Sequence, residues 1–69
     1  MESLQSTLSQ GVGKTINIHL LISQSAVRGP ITEVGVDHLV VQDLDLVTRK
    51  VRRTVYIPFS AILHFEFLD

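Results

Sequence analysis

The chain has 69 residues, no cysteine, six basic and seven acidic side chains, and 45% hydrophobic residues. This length allows a single domain, 1–69, and the lack of cysteine excludes a disulfide framework and a thiolate metal site. The net charge of −1 gives no overall basic character. No apolar run is long enough to span a membrane and the N-terminus lacks the pattern of a secretory signal, so we expect a soluble cytoplasmic protein.

The size of the chain also predicts self-association. A domain of this length buries only about 60% of the surface that its unfolded chain exposes, so its stability is marginal. Small domains without disulfides or metals are commonly stabilised by oligomerisation. Because 45% of the residues are hydrophobic, we expect part of the apolar surface to contact a second copy.

The first predicted element is a short helix over residues 1–10. Ser3 is a suitable N-cap, and Leu4 and Leu8 lie on one face at a spacing of four residues. Two helical turns are marginal in isolation, so the leucines must dock against the rest of the chain. The alternative is a mobile tail.

A strand is predicted over 14–22, where apolar and polar residues alternate. The face that we expect to be buried carries four aliphatic residues, Ile16, Ile18, Leu20 and Ile22. A turn at 23–25 then leads to a second strand over 26–34. Gly29 and Pro30 interrupt this strand, which predicts a bulge or a sharp bend of the kind found at a barrel corner.

Three further strands are predicted over 38–42, 51–57 and 61–67. Gly35 provides the turn before the first of these, and 58–60 is a tight break before the last. On the last strand we expect one face to carry Ala61, Leu63, Phe65 and Phe67, opposite Ile62, His64 and Glu66.

One helix followed by five strands within 14–67 is typical of a small β-barrel. An oligonucleotide-binding barrel usually carries a helix between strands three and four. Here that segment, 43–50, is too short for a convincing helix and contains β-branched Val47 and Thr48. The pattern therefore favours a mainly β fold, a strongly bent SH3-like barrel preceded by a short helix.

Three segments, GKTINIHLL, RGPITEVGVDHLVV and VYIPFSAILHFE, carry a resemblance to the Sm-like superfamily, which includes the Lsm proteins and the bacterial RNA chaperone Hfq. Gly29 is similar to the glycine of the family's bent second strand, and Asp37 to its acidic turn. The resemblance covers nearly the whole chain and implies an Sm-type barrel. It also implies a homo-oligomeric ring of six or seven copies, in which strand four of one subunit pairs with strand five of the next.

The resemblance places a candidate RNA-binding rim at Asp37, His38, Phe59 and Ser60. Aromatic side chains stack on bases in proteins that bind single strands, which gives Phe59 a role. The alternative is that Phe59 packs beneath the barrel or at a subunit contact. Hfq carries Lys-His where this chain has Phe59-Ser60. The resemblance therefore supports the fold more strongly than it supports the RNA-binding chemistry.

Four of the six basic residues lie within five positions, at Arg49, Lys50, Arg52 and Arg53. Repeated around a ring, they would create a local positive field that attracts RNA. On a regular strand Arg52 and Arg53 project to opposite sides, so a flat patch requires a loop or a twisted hairpin. The alternative is a solvated hairpin end that protects a sheet edge.

The sequence contains no catalytic constellation and no phosphate-binding loop. The three histidines share no metal-ligand spacing, so we expect neither a metal nor a cofactor, and we expect no enzymatic activity. The predicted function is single-stranded RNA binding by a homo-oligomeric ring. The alternative is a protein-interaction or structural scaffold of the same fold that does not bind RNA.

Overall fold

Five antiparallel strands and a short N-terminal helix make up the chain in the computed structural model, which describes residues 3–22 and 25–69. Residues 1 and 2 of the predicted helix and 23 and 24 of the predicted turn lie outside this description. The elements in chain order are helix α1 Leu4–Ser9, strands β1 Thr15–Leu20, β2 Ala26–Val34, β3 His38–Leu44 and β4 Val51–Pro58, a 3-10 turn Phe59–Ala61, and β5 Ile62–Phe67. The predicted mainly β fold with an N-terminal helix is confirmed.

The strands form one sheet in the order β4-β3-β2-β1-β5. Neighbouring strands pair antiparallel throughout. β4 and β5 are the two edges of the sheet, and each pairs with one neighbour. Within the described residues no ladder joins these two edges, so each presents an unpaired row of backbone groups.

Strand β2 pairs with two different neighbours along its length. Its first half pairs with β1 as far as Pro30, and its second half pairs with β3 from Ile31 onward, with a register shift between Ile31 and Glu33. Gly29 lies in the half of β2 that pairs with β1, and a β-carbon there would overlap the carbonyl oxygen of Gln42 on β3. Glycine is therefore required there for the close approach of two backbones, as its place in mid-strand predicts.

The core lies on one face of this sheet and is closed by α1. It consists of Leu8, Ile16, Ile18, Val27, Ile31, Leu39, Val41 and Ile57. The Ser3 hydroxyl accepts a hydrogen bond from the Ser6 amide at 3.1 Å, which confirms the predicted N-cap. Leu8 is fully buried whereas Leu4 is 38% exposed, so the docking of this short helix depends chiefly on Leu8.

Strand β1 ends earlier than its alternating pattern predicts. The strand stops at Leu20, whose amide donates to the carbonyl of Ser25 and so closes the connection to β2. Ile22 lies in that connection and is 94% exposed. The prediction that Ile22 belongs to the buried face is wrong, because the chain turns before it is reached.

The predicted face of β5 is also wrong at its first residues. His19 pairs with His64 but Leu20 pairs with Ile62, so the ladder contains a bulge at Leu63. As a result Ile62 packs against the core and Leu63 is 56% exposed. Simple alternation does not reveal the bulge, because the bulge depends on pairing with β1.

Helix α1 has six residues. Nowhere in the described ranges is a helix long and apolar enough to cross a membrane.

Candidate functional site

The turn between β2 and β3 positions the first two predicted rim residues. The Gly35 amide donates to the carbonyl of His38 at 2.8 Å and closes the turn. His38 Nδ1 lies 3.0 Å from Asp37 Oδ1 and donates to it, since an ionised carboxylate can only accept. This hydrogen bond is the main cause that lowers the pKa of Asp37 below its usual value. The pair is open to solvent, with the Asp37 side chain 89% exposed.

Gly35 leaves room for the His38 ring. A β-carbon at position 35 would lie 2.5 Å from His38 Cε1, so any larger residue would displace the imidazole. The glycine that predicts the turn thus also determines where His38 sits.

The end of β4 positions the other two rim residues. His38 pairs with Pro58, and the Phe59 amide donates to the carbonyl of Asp37 at 2.8 Å. The structure therefore brings Asp37, His38 and Phe59 together, with Ser60 exposed beside them. Phe59 is half-buried and packs against the core, so part of its ring is anchored and part remains accessible.

Two members of the predicted basic cluster bind one buried carboxylate. Arg52 Nη2 lies 3.1 Å and Arg53 Nε 3.2 Å from Asp43 Oδ2, and Asp43 is only 2% exposed. Arg53 pairs with Asp43 but Val51 pairs with Leu44, so Arg52 is the extra residue of a bulge. The strand is therefore not regular at this point, and both side chains reach Asp43 instead of projecting to opposite sides as they would on a regular strand.

The other two basic residues lie in the loop between β3 and β4. Asp45 organises this loop, because its Oδ1 accepts hydrogen bonds from the amides of Val47 at 2.8 Å and Thr48 at 3.0 Å. The bonds from Thr48 and then Val47 lower the pKa of Asp45. Arg49 follows with a positive φ of 63°, and Lys50 is exposed beside it.

The rim residues and the basic cluster lie at opposite ends of the β3–β4 hairpin. His38 begins β3 and Asp43 is near its end. At about 3.3 Å per residue, five residues of strand separate them by roughly 17 Å. Within one chain the structure does not bring the two predicted parts of the RNA site together.

A second polar group, which is not among the predicted RNA-binding residues, lies on β1 and β5. The rings of His19 and His64 stack with centroids 4.2 Å apart. Asn17 is 5% exposed, and its Nδ2 lies 3.4 Å from Glu66 Oε1. Its Oδ1 has no hydrogen-bond partner among the described residues. The only signal in the sequence is an asparagine in the middle of an aliphatic strand.

No described group of three or more His, Asp or Glu side chains has the arrangement of a metal site. Comparisons with protein-family models, curated proteins and solved structures find no match to this chain. Its function is therefore argued from its own residues and geometry.

Proposed function

We propose that this protein is a non-enzymatic subunit of a homo-oligomeric Sm-like ring that binds single-stranded RNA at its inner rim. The observation that carries the proposal is the pair of free edges, β4 and β5, on one antiparallel sheet. Pairing β4 of one copy with β5 of the next would satisfy both edges and extend the sheet continuously from copy to copy. Because two different surfaces meet in such a contact, repetition generates a ring when the rotation closes.

Apolar side chains on the edge strands support this mode of assembly. On β4, Tyr56 is 70% and Val51 48% exposed, and on β5 Leu63 is 56% exposed. Fully burying a side chain such as leucine contributes about 2 kcal/mol. A contact that covers both edges would therefore add stability that so small a core lacks.

The rim has the chemical groups that single-stranded RNA requires. The carboxylate of Asp37 accepts hydrogen bonds from base amino groups, and the Ser60 hydroxyl both donates and accepts. The accessible parts of the His38 and Phe59 rings provide stacking surfaces. In a ring, each copy would contribute the same set of side chains at one radius.

The basic cluster has a secondary role in this proposal. Arg52 and Arg53 are already paired with Asp43, and the cluster lies at the other end of the hairpin from the rim. Because the cluster lies away from the rim, it would not contact a base that is held there. It would contribute phosphate contacts, which add salt-dependent affinity without base recognition.

The test is fluorescence anisotropy with uridine-rich and adenine-rich oligonucleotides over a salt series. Phe59→Leu keeps an apolar side chain and removes the aromatic face, so we expect about tenfold weaker binding with an unchanged oligomer mass. Phe67→Leu is the matched control, because Phe67 also packs against the core but lies on β5. Replacing Arg52 and Arg53 by alanine should flatten the salt dependence.

A protein-interaction or structural scaffold is the second candidate. Two observations favour it: Asp43 neutralises part of the basic cluster, and Val36 and Val47 are 83% and 90% exposed outside the edge strands. A scaffold would form the same oligomer but bind neither oligonucleotide at low salt. That result would overturn the RNA-binding proposal and leave the assembly intact.

A further inference from the structure

An open cleft lies between the β3–β4 loop, the outer side of β2 and the residues that follow β5. Its volume is about 410 Å³, and it is lined by Thr15, Arg28, Leu44, Asp45, Leu46, Arg49, Leu68 and Asp69. It adjoins the end of β3 that is farthest from His38, so it is separate from the proposed RNA rim.

Two guanidinium groups line this cleft without an ionic partner. Among the described residues, neither Arg28 nor Arg49 forms an ion pair, in contrast to Arg52 and Arg53. The two carboxylates of the cleft already accept backbone hydrogen bonds. Asp45 accepts them within its own loop, and Asp69 Oδ2 accepts one from the Thr15 amide at 3.0 Å.

The backbone at Arg49 provides a second, independent observation. Arg49 has a φ of 63°, and no other non-glycine residue in the described ranges has a positive φ. A side chain in this left-handed region costs about 1 kcal/mol, which glycine would avoid. Strained positions of this kind are concentrated at ligand sites, so the arginine is best explained by what its side chain does in the cleft.

The lining groups define the class of ligand. The planar forks of Arg28 and Arg49 can each bind phosphate oxygens in pairs. Asp45 and Asp69 balance the formal charge of the lining, so the guanidinium contacts, and not the net charge of the cleft, would select the phosphate. The volume falls within the range of small-molecule sites, roughly 300–1,000 Å³, and exceeds what inorganic phosphate fills. The three leucines provide an apolar wall, and the remaining carboxylate oxygens accept hydrogen bonds from hydroxyl groups.

We propose that this cleft binds a small hydroxylated phosphate monoester, a nucleotide or a sugar phosphate, with its phosphate between Arg28 and Arg49. The site is present in each copy and depends neither on RNA binding nor on ring formation.

Calorimetric titration of the full chain tests the ligand class with AMP, ribose 5-phosphate, inorganic phosphate and adenosine. We expect AMP and ribose 5-phosphate to bind, inorganic phosphate to bind about tenfold more weakly because it lacks the apolar and hydroxyl contacts, and adenosine not to bind. Equal affinity for inorganic phosphate would overturn the assignment to an ester. Equal affinity for adenosine, or no binding of any probe, would overturn the phosphate site.

Arg49→Gly separates binding from folding. It removes the guanidinium and relieves the backbone strain, so we expect an unchanged or higher Tm and at least about tenfold weaker AMP binding. Arg28→Gln should weaken binding similarly. Lys50→Gln is the matched control, because Lys50 is a cation of the same loop that does not line the cleft. If Lys50→Gln weakens AMP binding as much as Arg49→Gly, the effect is general charge and the site is refuted.

Discussion

Gly29 and Asp43 are the two residues on which the middle of the sheet most depends. Gly29 permits β2 to approach β3 closely at a point where a β-carbon would overlap the Gln42 carbonyl oxygen. Asp43 is almost fully buried and is the common acceptor for two arginines of β4. Gly29 allows two backbones to approach because it has no side chain. Asp43 stabilises the β3–β4 hairpin because its carboxylate binds both arginines.

Gly29→Ala should destabilise the protein by about 3 kcal/mol, because two backbones must move apart to accept the new β-carbon. Gly13→Ala is the control. Gly13 has a φ of 91° and open space around the added carbon, so only the strain of about 1 kcal/mol applies. Urea unfolding at equal protein concentration measures both. An equal decrease in the free energy of unfolding in the two variants would contradict the close approach of β2 and β3.

Replacing Arg52 and Arg53 should have a non-additive effect on stability. Either single change to glutamine leaves Asp43 with one guanidinium, and because both arginines are more than half exposed, each should cost less than about 1 kcal/mol. The double change leaves a buried carboxylate unpaired, which should cost about 3 kcal/mol. A double-mutant cycle in urea measures the coupling, and simple additivity would show that the arginines do not share Asp43.

The loop carboxylate of Asp45 should contribute to acid sensitivity. Hydrogen bonds from the amides of Thr48 and Val47 lower its pKa below 3.8 in the folded protein. Its contribution to stability is therefore fully present above the unfolded pKa and is lost as the pH falls through the lower, folded value. Asp45→Asn retains an acceptor but does not titrate, so its stability should fall less steeply below about pH 4. Identical acid unfolding curves for both proteins would refute this role.

At the scale of elements, alternation of apolar residues predicts the five strands, and Ser3 predicts the start of the helix. Of the three register shifts, the one in β2 follows directly after the Gly29-Pro30 interruption, whereas the bulges at Leu63 and Arg52 are not predicted. A bulge arises from the register between two strands, and that register depends on contacts between segments distant in sequence. This is why alternation alone places Leu63 on the wrong face of β5 and does not show that Arg52 and Arg53 both reach Asp43.

In the candidate site, too, local features are predicted from the sequence and features that depend on distant segments are not. The turn at Gly35 and the break after Pro58, both visible in the sequence, place Asp37, His38 and Phe59 together. The sequence does not show that the basic cluster lies at the far end of the hairpin or that Asp43 neutralises part of it. It also gives no signal for the cleft, because Arg28, Arg49 and Asp69 are far apart in the chain and meet only through the fold.

The edge strands should carry the contacts between copies. Tyr56→Lys on β4 or Leu63→Lys on β5 places a charge in the proposed contact, which should shift the protein toward smaller species. Val36→Lys is the control, since Val36 is 83% exposed but lies in the β2–β3 turn. Size-exclusion chromatography with light scattering compares the three variants. If Val36→Lys dissociates the oligomer and the edge variants do not, the contact is elsewhere.

At the scale of the whole molecule, one sheet with two free edges is the feature on which the proposed function rests. A single copy leaves the outer edges of β4 and β5 unpaired and exposes eleven large hydrophobic side chains among the described residues. Joining unlike edges would satisfy the backbone groups of both and bring one rim from each copy around a common axis. The proposed RNA binding at that rim would depend on the assembly, whereas the proposed phosphate site would not.

The mass of the unmodified protein in solution tests the central claim most directly. Native mass spectrometry and light scattering, over a range of concentrations, should give one closed species whose mass is an integral multiple of 7.7 kDa. Six or seven copies would agree with the resemblance to Sm-like rings. A stable monomer at all concentrations, or an open series of sizes, would contradict the pairing of β4 with β5 into a ring.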